Sequence, residues 1–238
     1  MFTKNSHITL PLKQVGSLVK KPTKSFTPLS IQNPNGNMII LDLYGNPVDT
    51  NVIEKQEQDL ANQYIQPNDV VLELGARYGS VSCIINSKLA NKKNQVVVEP
   101  DERVWKSLEN NRDNNHCEFH IVQGFISNKK LGLTNLDDCH GGYGATFVEN
   151  EETKIPSFTL DEIKDKYQLT FNVLVADCEG FLEIFLDENP TLYDQLRLVL
   201  FEADYPEKCN YQKIKNTLAR KGFTNLLSGH QNVWIKHN

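Results

Sequence analysis

Short runs of apolar residues alternate with amphipathic stretches along most of the chain. Val70–Leu74, Gln95–Glu99, Glu118–Val122, Asn172–Ala176 and Leu196–Glu202 are short apolar runs of strand length. Between them, Tyr78–Ala90, Glu102–Asn114, Phe181–Leu186 and Tyr211–Lys221 carry apolar residues at helical spacing, with Val104, Trp105 and Leu108 facing inward in the second and Asp101 as its cap. Continuous Val/Leu/Ile strands separated by helices predict a parallel sheet buried on both faces. The last two strands, Phe223–Leu227 and Asn232–Lys236, are joined by Ser228-Gly229-His230-Gln231, too short for a crossover, so they must pair antiparallel. Ahead of this pattern, Met38–Leu43 reads as a strand, Tyr44–Pro47 as a turn and Val52–Gln66 as a helix capped by Asn51. Residues 1–36 read as a solvated arm, with Lys20, Lys21 and Lys24 around Pro22. The expected organisation is an N-terminal extension over 1–66 and an α/β domain over 67–238.

The chemistry gathers where strands end. Val70–Leu74 runs into Gly75-Ala76-Arg77-Tyr78-Gly79-Ser80 and then a helix. Such a turn lets backbone and helix N-terminus approach a ligand. Glu99 ends the next strand, where an acid can accept hydrogen bonds from both hydroxyls of a ribose. Two cofactors share this logic. A dinucleotide site asks for glycine at position 77, which is Arg here, and Glu73 ahead of the turn would repel a pyrophosphate yet attract the ammonium of a methionyl group. The pattern therefore favours S-adenosylmethionine over a nicotinamide dinucleotide. A nucleoside-binding module without catalysis stays open as an alternative.

A second acidic group, Asp177-Cys178-Glu179-Gly180, follows Val173–Ala176, and Glu202 and Asp204 follow Leu198–Phe201. Ligands of open α/β sheets bind outside the carboxyl ends of strands, which places Asp177 in the same crevice as Glu73. Asp177, Glu179 and Glu202 are the expected ligands if a divalent metal is held there. Asp177 is the first candidate to orient or deprotonate an acceptor. His140, in the glycine-rich segment Cys139–Gly144, is the second.

With these residues in hand, the chain resembles the FkbM family of S-adenosylmethionine-dependent O-methyltransferases. The resemblance rests on VVLELGARYGSVS (70–82), VVVEPDERVWKSLENN (96–111), PSFTLDEI (156–163), NVLVADCEGFLEIFL (172–186) and LRLVLFEAD (196–204). It implies a Rossmann-like class I methyltransferase fold, with a mostly parallel seven-stranded sheet ending in an antiparallel hairpin. It implies a methionyl site at Glu73, Gly75, Ala76 and Gly79, extended here to Arg77, Tyr78 and Ser80. The ribose falls at Glu99 and Pro100, Gly124 and Phe125 are further cofactor contacts, and Asp177 borders the cofactor. Asp161 falls in the family's T-L-D segment, and Glu179, Gly180 and Glu183 in its D-x-E-G block. Arg77 stands where the family commonly has Asn, Glu73 where it has Asp, and Val175 where it often has Lys. Acceptors in the family are often hydroxyls of sugars or of other small molecules.

Composition narrows the partners. Lys+Arg number 25 and Asp+Glu 30, for a net charge of −5, which gives no global attraction to nucleic acid or an anionic membrane. No apolar run is long enough to span a bilayer. The five cysteines are widely spaced without a C-x-x-C pair, which suits reduced thiols in a cytoplasmic compartment. Homo-oligomerisation stays open.

Overall fold

A computed structural model of the chain describes residues 38–134, 136 and 144–236. The expectations for residues 1–37 and for His140 lie outside the described residues. The elements in chain order are α1 (Lys55–Tyr64), β1 (Val71–Leu74), α2 (Ser80–Lys88), β2 (Gln95–Glu99), α3 (Trp105–Asn114) and β3 (His120–Gln123). Then come β4 (Phe125–Ile126), β5 (Leu131–Thr134), β6 (Thr146–Glu149), β7 (Ser157–Phe158) and α4 (Leu160–Tyr167). The chain continues through β8 (Val173–Ala176), α5 (Leu182–Glu188), α6 (Leu192–Gln195), β9 (Leu198–Glu202), α7 (Tyr211–Arg220), β10 (Phe223–Leu227) and β11 (Gln231–Lys236).

Seven strands form one sheet in the order β10-β11-β9-β8-β1-β2-β3. Only β11 runs against its neighbours: it pairs antiparallel with both β9 and β10, while β9, β8, β1, β2 and β3 pair in parallel. The expected antiparallel ending is therefore present, with the last strand inserted between β9 and β10. The alternation of side chains sorts the central strands onto two faces. Leu72, Leu74, Leu174, Ala176, Val199 and Phe201 pack with Leu160, Phe181, Phe185 and Leu218. Val71, Val173, Val175, Leu198 and Leu200 pack with Ala61 of α1, with Ile65 just after it, and with Val81 and Ile85 on α2. Every residue of β1, β2 and β8 is buried, as strands covered on both faces must be.

The segment before the sheet differs from the pattern-based expectation. Met38–Leu43 joins no sheet; it makes one bridge, Leu41 to Pro47. Its backbone is instead satisfied by two asparagines one turn apart on or beside α3. Asn115 accepts from the Ile39 amide at 3.1 Å and donates to the Ile39 carbonyl at 2.8 Å. Asn111 does the same for Leu41 at 3.0 and 2.8 Å. A carboxamide offers the donor and acceptor of a peptide group, so two of them replace a neighbouring strand. The helix expected from Val52 begins at Lys55. Asp49 explains the delay: its side chain accepts from the Asn51 amide at 3.0 Å and its carbonyl from Val52 and Ile53, which makes a turn where Asn51 was expected to cap. Elements not anticipated from the pattern are the β5–β6 hairpin, the β4–β7 pair, α6 and α4. The last begins on a full capping box between Thr159 and Glu162.

Asn111 is fully buried and also donates to the Tyr78 carbonyl at 2.9 Å. Asn111→Ala leaves three backbone groups without this partner and should cost about 1–3 kcal/mol. A denaturant midpoint lowered at unchanged slope is the expected readout. A loss under about 0.5 kcal/mol, as for an ordinary surface change, would contradict the bridging role.

Candidate functional site

The site is built where β1 and β8 end side by side. Gly75 follows β1 with a φ of 86°, and a β-carbon placed there would lie 1.6 Å from the Asp177 carbonyl oxygen. The Asp177 amide in turn donates to the Leu74 carbonyl at 3.0 Å. Glycine is thus required by a backbone approach between the two central strand ends. Gly124 plays the same part beyond β3, where a β-carbon would meet the Pro156 carbonyl at 2.3 Å. Gly79, at φ 86°, caps α2 and lies against Leu108.

Arg77 adopts the left-handed conformation, φ 47°, between these glycines. Its amide donates to Glu99 Oε2 at 2.7 Å, while the Asp101 amide donates to Glu99 Oε1 at 2.8 Å. The Arg77 guanidinium reaches Asp101 at 3.1 Å and lies over the Tyr78 ring. Glu99 is therefore fixed by two loops at the tip of β2. Burial pushes its carboxyl up to about 7 against the pull of those amides and of Arg77. Asp101 also pairs with Arg103 at 2.7 Å and is held below its ordinary range by its arginine partners despite its burial.

Two adjoining cavities open at these strand ends. The larger, about 740 Å³ including its mouth, is lined by Glu99, Pro100 and Arg77 on one side and by Asp177, Cys178 and Glu179 on the other. Its apolar walls include Val98, Phe125, Ile126, Phe147 and Phe181. The smaller, about 440 Å³, lies beneath α1 and is lined by Glu54, Glu57, Glu73, Asp177, Glu202 and Gln231 together with apolar residues of β8 and β9. Glu54, Leu74, Gly75 and Asp177 belong to both.

Acids dominate this region and raise one another's affinity for protons. Burial, then Glu57 and Glu73, push Glu54 up to about 8. Burial, then Glu54, Glu179 and Asp204, hold Asp177 well above the usual carboxylate range. Glu179 is pushed up to about 7 by burial and by its hydrogen bond to Asp204.

The expected site residues divide among these features. Gly75, Arg77, Glu99, Pro100, Phe125 and Asp177 line the larger cavity, and Glu73, Gly75, Ala76, Asp177 and Glu202 the smaller. Tyr78, Gly79, Ser80 and Gly124 line neither; Tyr78 is buried in the core against Ile40 and Leu108. Glu73 points under α2, because it shares the face of Val71 on β1. Ser82 donates to one of its oxygens at 2.8 Å and Gln95 to the other at 2.9 Å. Asp161 is exposed on the first turn of α4, and Glu183 pairs with Lys213 at 3.0 Å on the outside of α5.

The expected metal set needs a correction. Asp177, Glu179 and Asp204, rather than Glu202, bring carboxylate oxygens within 4.8 Å of one another. Glu202 is the last residue of β9 and lies on the face of Leu198 and Leu200. There it meets Gln231 at 2.8 Å and His230 at 2.7 Å. Residues that the sequence reading missed are Glu54 and, on the β5–β6 hairpin, Ala145 and Phe147; Gly144, the end of the glycine-rich segment, lines the larger cavity with them. A glutamate at the start of an amphipathic helix reads as ordinary solvated surface, so it carried no signal.

No family model matches the sequence, and no curated protein does. Solved structures do resemble it. The precorrin-6y C5,15-methyltransferase of Geobacter metallireducens superposes with a TM-score of 0.50 at 12% identity, over 79% of this chain and 90% of that one. An O-methyltransferase of Bacillus cereus, solved with SAH, gives 0.49 at 11% over 79% and 84%. The ribosomal protein L11 methylase of Lactobacillus delbrueckii gives 0.44 at 17% over 77% and 79%. The fold is that of the class I methyltransferases. At these identities the likeness extends to the fold alone.

Two outcomes follow from the geometry. Glu54, Glu73 and Glu99 hold protons in the folded chain up to about 8, 7 and 7, against an ordinary 4.5. Between those values the folded state binds more protons than the unfolded one, so stability should fall as pH rises from 4.5 through 8. Urea titrations across that range test this; rising stability would contradict the burial of these acids. Gly75→Ala should cost several kcal/mol, about 3 or more, since the clash is with backbone that cannot turn aside. An unchanged melting temperature would show that the strand ends can part freely.

Proposed function

We propose that the protein is an S-adenosylmethionine-dependent methyltransferase of the FkbM type, acting on a hydroxyl of a carbohydrate or another small molecule. The observation that carries the reading is the larger cavity. It presents an anchored Glu99 at the end of β2 and Asp177 at the end of β8, on either side of the Gly75 turn. An acid at the first position suits the paired hydroxyls of a ribose, and Val98, Phe125 and Ile126 beside it offer flat apolar walls for a base. The five sequence blocks of the FkbM resemblance support the finer assignment.

When bound, S-adenosylmethionine supplies a methyl group made electrophilic by its positively charged sulfur. The residues here would do the rest. Glu99 would accept hydrogen bonds from the ribose. The carboxylates around Gly75 would balance the positive charge, at low dielectric, where such pairing is strong. Asp177 would orient the acceptor hydroxyl and take its proton, a task suited to a carboxyl held above its ordinary range. The acid lining disfavours a phosphate-rich acceptor such as nucleic acid. Asp177, Glu179 and Asp204 offer hard oxygen ligands that would fit a divalent cation in the acceptor half of the site.

Calorimetry with S-adenosylhomocysteine should show binding to the wild type, weakened about tenfold or more by Glu99→Gln, which removes a charged acceptor. Unchanged affinity in that variant would refute the ribose assignment. Mass spectrometry of glycan and small-molecule hydroxyl acceptors after incubation with labelled donor should show methylated product that Asp177→Asn reduces about 100-fold or more. Product formed equally well by that variant would remove Asp177 from the chemistry. The same assay run with a chelator reads the cation requirement.

A further inference from the structure

The smaller cavity has a chemical character that the fold does not demand. Five carboxylates line it, those of Glu54, Glu57, Glu73, Asp177 and Glu202, and no lysine, arginine or histidine is among its lining residues. It is joined to the larger cavity through Glu54, Leu74, Gly75 and Asp177, so one elongated ligand can occupy both. The larger cavity suits the nucleoside of such a ligand. The smaller suits a positive group.

Most of its acids are already committed. Both oxygens of Glu73 receive hydrogen bonds from Ser82 and Gln95. Glu202 is held by Gln231 and His230, and Glu57 by Gln231. Glu54 differs. Among the described residues its donor is the hydroxyl of Ser80, the first residue of α2, on Oε2. Glu54 also adopts the left-handed conformation, φ 52°, at the start of α1. A bulky non-glycine residue there is disfavoured, and such conformations persist where the surroundings hold them. The turn between Asp49 and Glu54 sets the carboxylate at the junction of the two cavities.

We propose that Glu54, carried on the segment ahead of the sheet, binds the amino group at the amino-acid end of the cofactor, with that end lying in the smaller cavity. The proposal rests on the reading of the larger cavity as an S-adenosylmethionine site. It transfers to Glu54 the role that the sequence pattern assigned to Glu73, whose carboxylate instead ties α2 to β1 and β2. It also makes residues 49–57 part of the cofactor site. Ser80, by donating to Glu54, is a positioning residue.

The test compares two probes that share a nucleoside: S-adenosylhomocysteine, which has the amino-acid end, and 5′-methylthioadenosine, which lacks it. Calorimetry on the full chain should show that Glu54→Gln weakens S-adenosylhomocysteine about 10- to 100-fold, the loss expected for a charge-assisted hydrogen bond. Binding of 5′-methylthioadenosine should stay within about twofold of wild type, a change too small to count as a lost hydrogen bond. Equal losses for the two probes, or none for either, would overturn the assignment of Glu54 while leaving the cofactor reading in place. If the wild type binds neither probe, the cofactor reading falls and takes this proposal with it. Glu54→Asp, which keeps the charge on a shorter arm, gives the same discrimination if the Gln variant folds poorly. Its loss should likewise be confined to S-adenosylhomocysteine, and a loss shared by both probes would count against the proposal.

Discussion

The ends of β1 and β8 touch through their backbones at Gly75 and Asp177, and the rest of the site follows from that contact. No side chain fits between them. The two strands therefore deliver the Gly75 turn and the Asp177 side chain to one point, with β2 bringing Glu99 from the far side of β1. Parallel strands all present their carboxyl ends at the same edge, so acids placed at strand ends converge without any long-range device. The cost is electrostatic. Glu54, Glu99, Asp177, Glu179 and Glu202 crowd a partly dry crevice and hold protons more tightly than carboxylates ordinarily do.

That crowding gives the crevice its selectivity. Neutral or negative ligands gain nothing from it, whereas a positive group displaces protons and pairs with the carboxylates they leave. Arg77 does not cancel the effect at the β2 tip, because its guanidinium is turned to Asp101 and Tyr78. The smaller cavity, without a basic side chain in its lining, is the most one-sided part of the site. The β5–β6 hairpin adds Gly144, Ala145 and Phe147 over the larger cavity. The Gly144 backbone hydrogen-bonds Glu179, so the hairpin is tied to the acidic side of the crevice.

Much of this was legible in the chain. The parallel strands announced themselves as apolar runs because both sheet faces are covered, and the Gly75 turn, Glu99 and Asp177 were readable as strand-end features. What escaped depended on contacts distant in sequence. Met38–Leu43 looks like a strand, yet its partners are the side chains of Asn111 and Asn115, some 70 residues on. The short β4–β7 and β5–β6 pairs are too brief for periodicity to reveal. Glu73 and Glu202 were placed by proximity to strand ends, but strand alternation turned Glu73 under α2 and Glu202 toward Gln231. Asp204, two residues further on, took the place expected of Glu202 beside Asp177. Glu54 escaped because its burial comes from α2 and the strand ends, not from its own helix.

The central claim is that these carboxylates serve as counter-charges for a cationic nucleoside. Its most direct test is the proton balance of binding, measured by calorimetry with S-adenosylmethionine, which carries the sulfonium charge as well as the amino group, near pH 7.5 in buffers of different ionisation enthalpy. Glu54, held at about 8, should give up its proton as the amino group enters, so the observed heat should vary with the buffer in the sense of net release. Binding with no proton release, or with uptake, would contradict the account.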